Sequence, residues 1–248
     1  MRVLLLGGTT EAGTVARALE SAGIETVFSY AGRTNAPVAQ PVPVRVGGFG
    51  GVAGLVAYLG RERISHVVDA THPFAATMGH NAHAACMQMG VPLLRLERPA
   101  WVPQTGDRWT QVPTIERACA ALPHDPARVF LAIGRMHLDQ FAAAPQHHYL
   151  LRLVDAPTRP VALPHHSLVV ARGPFNMAQD TDMLRVHAIT HLVAKNAGGS
   201  GAVAKIEAAR ALGLHVIMIA RPQRPRTEKA HDAGAVLHWL SHSAERGV

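Results

Sequence analysis

Arg2-Val3-Leu4-Leu5-Leu6-Gly7-Gly8-Thr9-Thr10-Glu11-Ala12-Gly13 is the stretch on which the fold turns. Residues 2–6 are too apolar for a strand with one wet face, so they read as a strand covered on both sides, as in parallel sheets. A helix is expected over 11–22, because Val15, Ala18, Leu19 and Ala22 share one stripe and Gly23 stops it. The turn between strand and helix aims backbone N–H groups and the positive end of the helix dipole at one point, which suits a pyrophosphate. Its spacing departs from G-x-G-x-x-G. A threonine stands at the middle glycine in either register, Gly7-Thr9-Ala12 or Gly8-Thr10-Gly13. The backbone approach is then less close, while a threonine hydroxyl can itself bond a phosphate oxygen. A plain tight turn is the competing reading.

Outward from this unit the same alternation repeats. Strands are expected at 24–29, 43–46, 66–69 and 92–96, with helices at 52–61 and 75–89. The segment Glu97-Arg98-Pro99-Ala100-Trp101-Val102-Pro103 holds two prolines and breaks the rhythm as a connection between domains would. Beyond it come a helix at 114–121, strands at 128–132, 149–154 and 167–171, and a helix at 176–185. A strand at 188–194, a helix at 202–212, a strand at 215–219 and a last helix at 230–240 complete the pattern. This is an α/β chain of two Rossmann-like domains, residues 1–97 and 98–248, with mainly parallel sheets and a cleft between them.

Composition narrows the function. The chain has 248 residues, 48% of them hydrophobic, which is enough to build a core. Its longest apolar runs fall far short of the roughly 20 residues of a membrane span. The run at 3–6 is also shorter than the roughly 7 to 15 residues of a signal-peptide core, so a cytoplasmic protein is expected. The net charge of +7 favours anionic partners. Nucleic acid fits poorly, since the bases are scattered and only three Trp, three Tyr and six Phe are available for stacking. Cys86 and Cys119 have no metal or redox spacing and read as reduced thiols. The sixteen histidines include the adjacent pairs His147-His148 and His165-His166, whose rings would point to opposite faces of a strand, so no metal is expected. Neither G-x-S-x-G nor a P-loop occurs, which weakens hydrolase and kinase readings.

Further candidates cluster at strand ends. About twenty residues after the first turn, where an NAD enzyme places a carboxylate for the ribose 2′-OH, stands Ser29-Tyr30-Ala31-Gly32-Arg33-Thr34. A guanidinium suits a 2′-phosphate and leans towards NADPH, although Arg33 could equally be a solvated turn residue. Gly47-Gly48-Phe49-Gly50-Gly51 and Asp69-Ala70-Thr71-His72-Pro73-Phe74 follow the third and fourth strands. In the second half, Lys195-Asn196-Ala197-Gly198-Gly199-Ser200-Gly201, with Lys205 one turn on, forms a cationic glycine-rich turn before a helix. Arg172-Gly173-Pro174-Phe175-Asn176 repeats the theme. Either could bind an acidic substrate or simply cap a helix.

These blocks together resemble the precorrin-6A reductase family of corrin-ring (vitamin B12) assembly. The resemblance rests on Leu6 to Ala12, Ala31 to Thr34, Val44 to Gly51, Asp69 to Ala75 and Arg95 to Trp101, and continues in Lys195 to Gly199 with Lys205. It covers residues 1–212, with the specific blocks before 101, and nothing in 104–170 is matched. It implies an NADPH-dependent oxidoreductase that reduces one ring double bond of precorrin-6A to give precorrin-6B. It further implies that Gly7, Gly8, Thr9 and Thr10 hold the pyrophosphate with Glu11 beside them, and that Arg33 and Thr34 hold the ribose phosphate. Gly48, Phe49, Thr71 and His72 would line the nicotinamide side, and Lys195, Asn196, Ser200 and Lys205 would face the substrate.

A carboxylate-rich tetrapyrrole also suits a +7 chain with cationic turns. Transfer of the ring to and from neighbouring pathway enzymes is compatible with this reading. The proton that accompanies the hydride could come from water, the substrate, His72 or Lys195. Two rivals stay open, a different Rossmann-type NADP-dependent dehydrogenase and a non-catalytic dinucleotide sensor. The first loses ground because neither Tyr30, Tyr58 nor Tyr149 has a lysine four residues on.

Overall fold

The computed structural model describes residues 1–32 and 37–245. It divides into two compact units, one made of residues 1–99 with 223 onward and the other of residues 100–222. In the first unit β1 (Arg2–Leu6), β2 (Glu25–Tyr30), β3 (Val44–Val46), β4 (His66–Asp69) and β5 (Leu93–Leu96) alternate with α1 (Thr10–Ser21), α2 (Gly51–Arg61) and α3 (Ala76–Met89). The strands run parallel in the order β5-β4-β1-β2-β3.

The reason lies in β1. Successive side chains of a strand point to opposite faces. Val3 and Leu5 join the core under α1, with Val15 and Leu19, while Leu4 and Leu6 join a second core with Leu55 and Leu59 of α2 and Ala82, Ala85 and Cys86 of α3. Both cores are dry at β1, whose four apolar residues are at most 2% exposed. The absence of a polar alternation in residues 2–6 is thus the mark of a strand sandwiched between helix layers. Burial pushes the Cys86 thiol up to about 12, which keeps it protonated and inert.

The second unit repeats the plan with β6 (Arg108–Val112), α4 (Ile115–Ala120), β7 (Arg128–Ala132), β8 (His148–Leu153), β9 (His166–Val170), α5 (Met177–Val186), β10 (His191–Lys195), α6 (Ala204–Ala211) and β11 (His215–Ile219). All six strands are parallel, in the order β6-β11-β10-β7-β8-β9. Two elements escape the sequence reading. β6 buries only Val112, so it shows no apolar period, and the 3₁₀ stretch Arg135–Ala143 has too few turns to present one. The adjacent histidines do diverge: His147 accepts a hydrogen bond from the Ala127 N–H at 3.1 Å, and His148 Nε2 lies 2.8 Å from Ser167 Oγ.

The chain then returns to the first unit. β12 (Glu228–Ala230) pairs in parallel with β5, and α7 (Ala233–Glu245) packs on α1 through Val236, Trp239 and Leu240. The division at 97/98 therefore needs correction, since residues from 223 onward complete the first sheet. Glu228-Lys229-Ala230 buries only its alanine and carries two charged residues, so it shows no apolar signal, and the second crossing is marked only by Arg221-Pro222-Gln223-Arg224-Pro225-Arg226. No described helix is long and apolar enough to cross a membrane.

Candidate active site

With β12 in place the first sheet reads β12-β5-β4-β1-β2-β3, and its winding reverses between β1 and β4. Open α/β sheets bind ligands beyond the carboxyl ends of the strands at this reversal. Gly7 to Thr10 and Ala70 to Phe74 both lie there.

The first turn is shaped by three residues. Gly7 packs so tightly that a Cβ would sit 2.1 Å from Phe28 Cζ, and Gly8 has φ +114°, a conformation that suits glycine alone. Thr9 caps α1: its Oγ1 accepts from the Ala12 N–H at 3.1 Å and donates to the Ala70 carbonyl at 2.9 Å. That hydroxyl thereby ties the β1 turn to the β4 turn. Thr10 begins α1 and is exposed, and Glu11 is ion-paired with Arg98.

The β4 turn rests on a buried carboxylate. Asp69 Oδ1 accepts from the Thr71 N–H at 3.1 Å and from the Thr71 hydroxyl at 2.6 Å, while Oδ2 pairs with Arg224. The two charged side chains are 1% and 6% exposed, so each depends on the other for compensation. Gly79 of α3 makes room for the guanidinium, since a Cβ there would come within 2.2 Å of it. Arg95, alongside, donates to the Pro225 carbonyl at 2.9 Å and fixes the same returning segment. Beyond Thr71, His72 Nδ1 accepts from the Phe74 N–H at 3.2 Å. In the neutral ring this leaves the proton on Nε2.

Two strands beyond β1, at the end of β3, Gly47 has φ +123° and Gly50 has φ +80° as the N-cap of α2. Arg45 braces this turn, donating to Ser29 Oγ at 2.6 Å, to the Gly47 carbonyl at 2.9 Å and to the Gly48 carbonyl at 3.1 Å, with its guanidinium 3.9 Å from the Phe49 ring centre. A Cβ on Gly48 would meet nothing within 4 Å, so its backbone faces open space. Arg33 and Thr34 lie outside the described residues.

Lys195, Asn196, Ser200 and Lys205 belong to the second unit, at the carboxyl end of β10 beside β7, where that sheet reverses in turn. Ser200 is exposed. Asn196 clamps the backbone of Trp101: its Oδ1 accepts from the Trp101 N–H at 2.8 Å and its Nδ2 donates to the Trp101 carbonyl at 2.9 Å. Arg221 donates to the carbonyls of Asn196 and Ala197 at 3.0 and 3.1 Å. Lys205 Nζ donates to the Ala202 carbonyl at 2.6 Å and lies 5.3 Å from the Trp101 ring centre.

Asp69, Arg224 and Arg45 are the site residues that pattern alone missed. Asp69 stood in a quoted block, but nothing in the sequence pairs it with a residue 155 positions away.

Two parallel sheets, the first with a glycine turn held against a second turn at its reversal, define an α/β protein of the Rossmann type. Residues 2–241 match the family model described as "Precorrin-6x reductase CbiJ/CobK". The chain belongs to this family and is an oxidoreductase. It is 61% identical over 249 residues to the precorrin-6A reductase of Rhodobacter capsulatus, covering 100% of this chain and 99% of the relative. It is 43% identical over 248 residues to that of Rhodococcus erythropolis, covering 99% of each. A solved structure titled "CobK precorrin-6A reductase" superposes with TM-score 0.95 at 61% identity, covering 98% of this chain and 96% of that one.

Proposed function

We propose that this chain uses NADPH to reduce one ring double bond of precorrin-6A, giving precorrin-6B, in the cytoplasmic assembly of the corrin ring. The observation that carries the reading is the hydroxyl of Thr9, which joins two ligand-type turns at the reversal of the first sheet in a member of this family. The residues present fit a dinucleotide: a backbone-lined turn at a helix N-terminus receives phosphates, and Gly8 and Gly48 add no side chain to obstruct it.

When bound, the cofactor supplies the hydride. The protein's part is to hold and orient. The turn Gly7-Gly8-Thr9-Thr10 binds the pyrophosphate, with the Gly7 N–H held by the Ser29 carbonyl at 3.0 Å and the later amides of the turn facing the phosphates. Arg98 balances Glu11, so that the carboxylate does not repel the phosphates. Arg33 and Thr34 take the 2′-phosphate. Asp69 sets the Thr71 turn, which with Gly48, Phe49 and His72 lines the nicotinamide side. Two groups are proposed as sources of the proton for the neighbouring ring carbon, His72 in its imidazolium form, which leaves a neutral ring on giving up the proton, and the ammonium of Lys195.

The experiment is to follow the reduced-nicotinamide absorbance on mixing purified protein with enzymically generated precorrin-6A. Loss of that band with a shift in the tetrapyrrole spectrum is expected. NADPH binding without oxidation would favour the sensor reading, and no binding would overturn the role of the first turn. His72→Ala turning over at the full rate would remove His72 as proton source.

A further inference from the structure

The second unit contains a cavity of about 230 Å³ that no role above absorbs. It lies beyond the carboxyl ends of β7 and β8 and is walled by Phe130, Arg152, Phe175, Asp180, Ala202 and Lys205. The N-terminal turn of α6 forms one side. Its N-cap, Val203, offers no side-chain acceptor, so the positive end of the dipole meets the cavity without a capping oxygen. Two cationic side chains face one anionic one, which leaves the cavity with an excess positive charge.

Arg152 is the best-prepared group in it. Its side chain is 12% exposed, its guanidinium lies 3.8 Å from the Phe175 ring centre and 5.3 Å from that of Phe130, and it is ion-paired with Asp180, which is 1% exposed. Stacked on one face and held at one edge, the guanidinium is fixed before any ligand arrives, so little side-chain entropy is left to lose. Asp180 draws on two of its nitrogens, and a guanidinium carries five N–H donors. The volume is below the roughly 300 Å³ at which whole-ligand pockets begin, so it suits an appendage and not a ring. Aromatic walls match a methylene stem, and cations match a terminal anion.

We propose that this cavity receives one carboxylate-bearing side arm of the tetrapyrrole, with Arg152 and the α6 N-terminus binding the carboxylate and Phe130 and Phe175 flanking its methylenes. The inference rests on the substrate named under Proposed function. Arg152 is then a substrate-binding residue from the one stretch, 104–170, that no motif distinguished.

The test is equilibrium titration of precorrin-6A into wild type and variants, followed by its absorbance. Arg152→Lys keeps a charge beside Asp180 but loses the planar fork. The double variant R152Q with D180N removes the cation without leaving a buried carboxylate unpaired, and stands in should the single change impair folding. Both are expected to weaken precorrin-6A binding about tenfold or more, with NADPH affinity unchanged. Equal tetrapyrrole affinity in wild type and a folded variant overturns the inference. NADPH oxidation by wild type is read separately. Its absence beside a real difference in tetrapyrrole affinity counts against the proposed reaction and leaves the cavity's role standing.

Discussion

The two sheets reverse in the same manner and equip the reversal differently. At β1 and β4 the groups at the strand ends are backbone amides and small side chains, and the charges nearby are neutralised within the protein: Glu11 by Arg98, Asp69 by Arg224. At β7 and β10 the cations Arg152, paired with Asp180, and Lys205 line an open cavity, so that one positive charge remains in excess. A sheet reversal thus supplies a place, and the side chains around it decide what kind of anion the place can hold. Backbone amides follow the contour of a linear phosphate chain, whereas stacked or tethered cations suit separate carboxylates.

Four perturbations separate the two edges. The largest is Arg224→Met, which leaves Asp69 buried without its cation. We expect a loss of about 3–5 kcal/mol in urea denaturation, confined to probes in the first unit such as Trp239 fluorescence. Adding Asp69→Asn should restore part of it, and a double variant no better than the single would show that the pair is not the cause. Next is Gly7→Ala, whose methyl must displace Phe28. NADPH affinity should fall about a hundredfold, roughly 2.7 kcal/mol, while precorrin-6A binding to the second unit is kept. A parallel loss of both would deny that the edges act separately.

Asn196→Ala is smaller. It strips the Trp101 backbone of two hydrogen bonds and should cost the second unit about 1–3 kcal/mol, read as a lower midpoint with the first unit unchanged. The smallest effect is that of acid. Burial holds the rings of His147, His148 and His191 below the ordinary 6.5, and in the first unit does the same for His66. A histidine whose folded pKa is lowered contributes its full stability above 6.5 and loses it as the pH falls from there towards the lowered value, because the unfolded chain takes up protons first. As the pH falls below 6.5 the second unit, with these three rings against His66 in the first, should therefore lose more stability than the first. Equal losses in a two-probe melt would contradict this.

The elements that sequence disclosed were those with a period. Leu4 and Leu5 belong to an unbroken apolar run that marks a strand buried on both faces, and Val15 and Leu19 mark one face of α1, so β1 to β5 were legible while β12, which completes the same sheet, was not. Gly7, Gly8 and Thr9 were legible as a tight turn between strand and helix, which Gly8 at φ +114° and the Thr9 cap bear out. What escaped has no local signature. The value of Asp69 depends on Arg224, and that of Arg152 on Phe175, contacts that exist only once the chain has folded. Thr9 shows the limit in the other direction: a hydroxyl read as a phosphate ligand is engaged with Ala12 and Ala70.

Because β12 and α7 close the first sheet, the first unit cannot finish when its own stretch of chain emerges from the ribosome. The entire second unit, residues 100–222, is synthesised in between, a delay on the order of ten seconds at usual elongation rates. Throughout that interval the outer edge of β5 and the apolar face of α1 stand uncovered, the conditions under which nascent chains pair with one another. The unit begun first is thus completed last, and a truncation that removes only the final helix leaves the dinucleotide-type half, not the half nearest in sequence, unfinished.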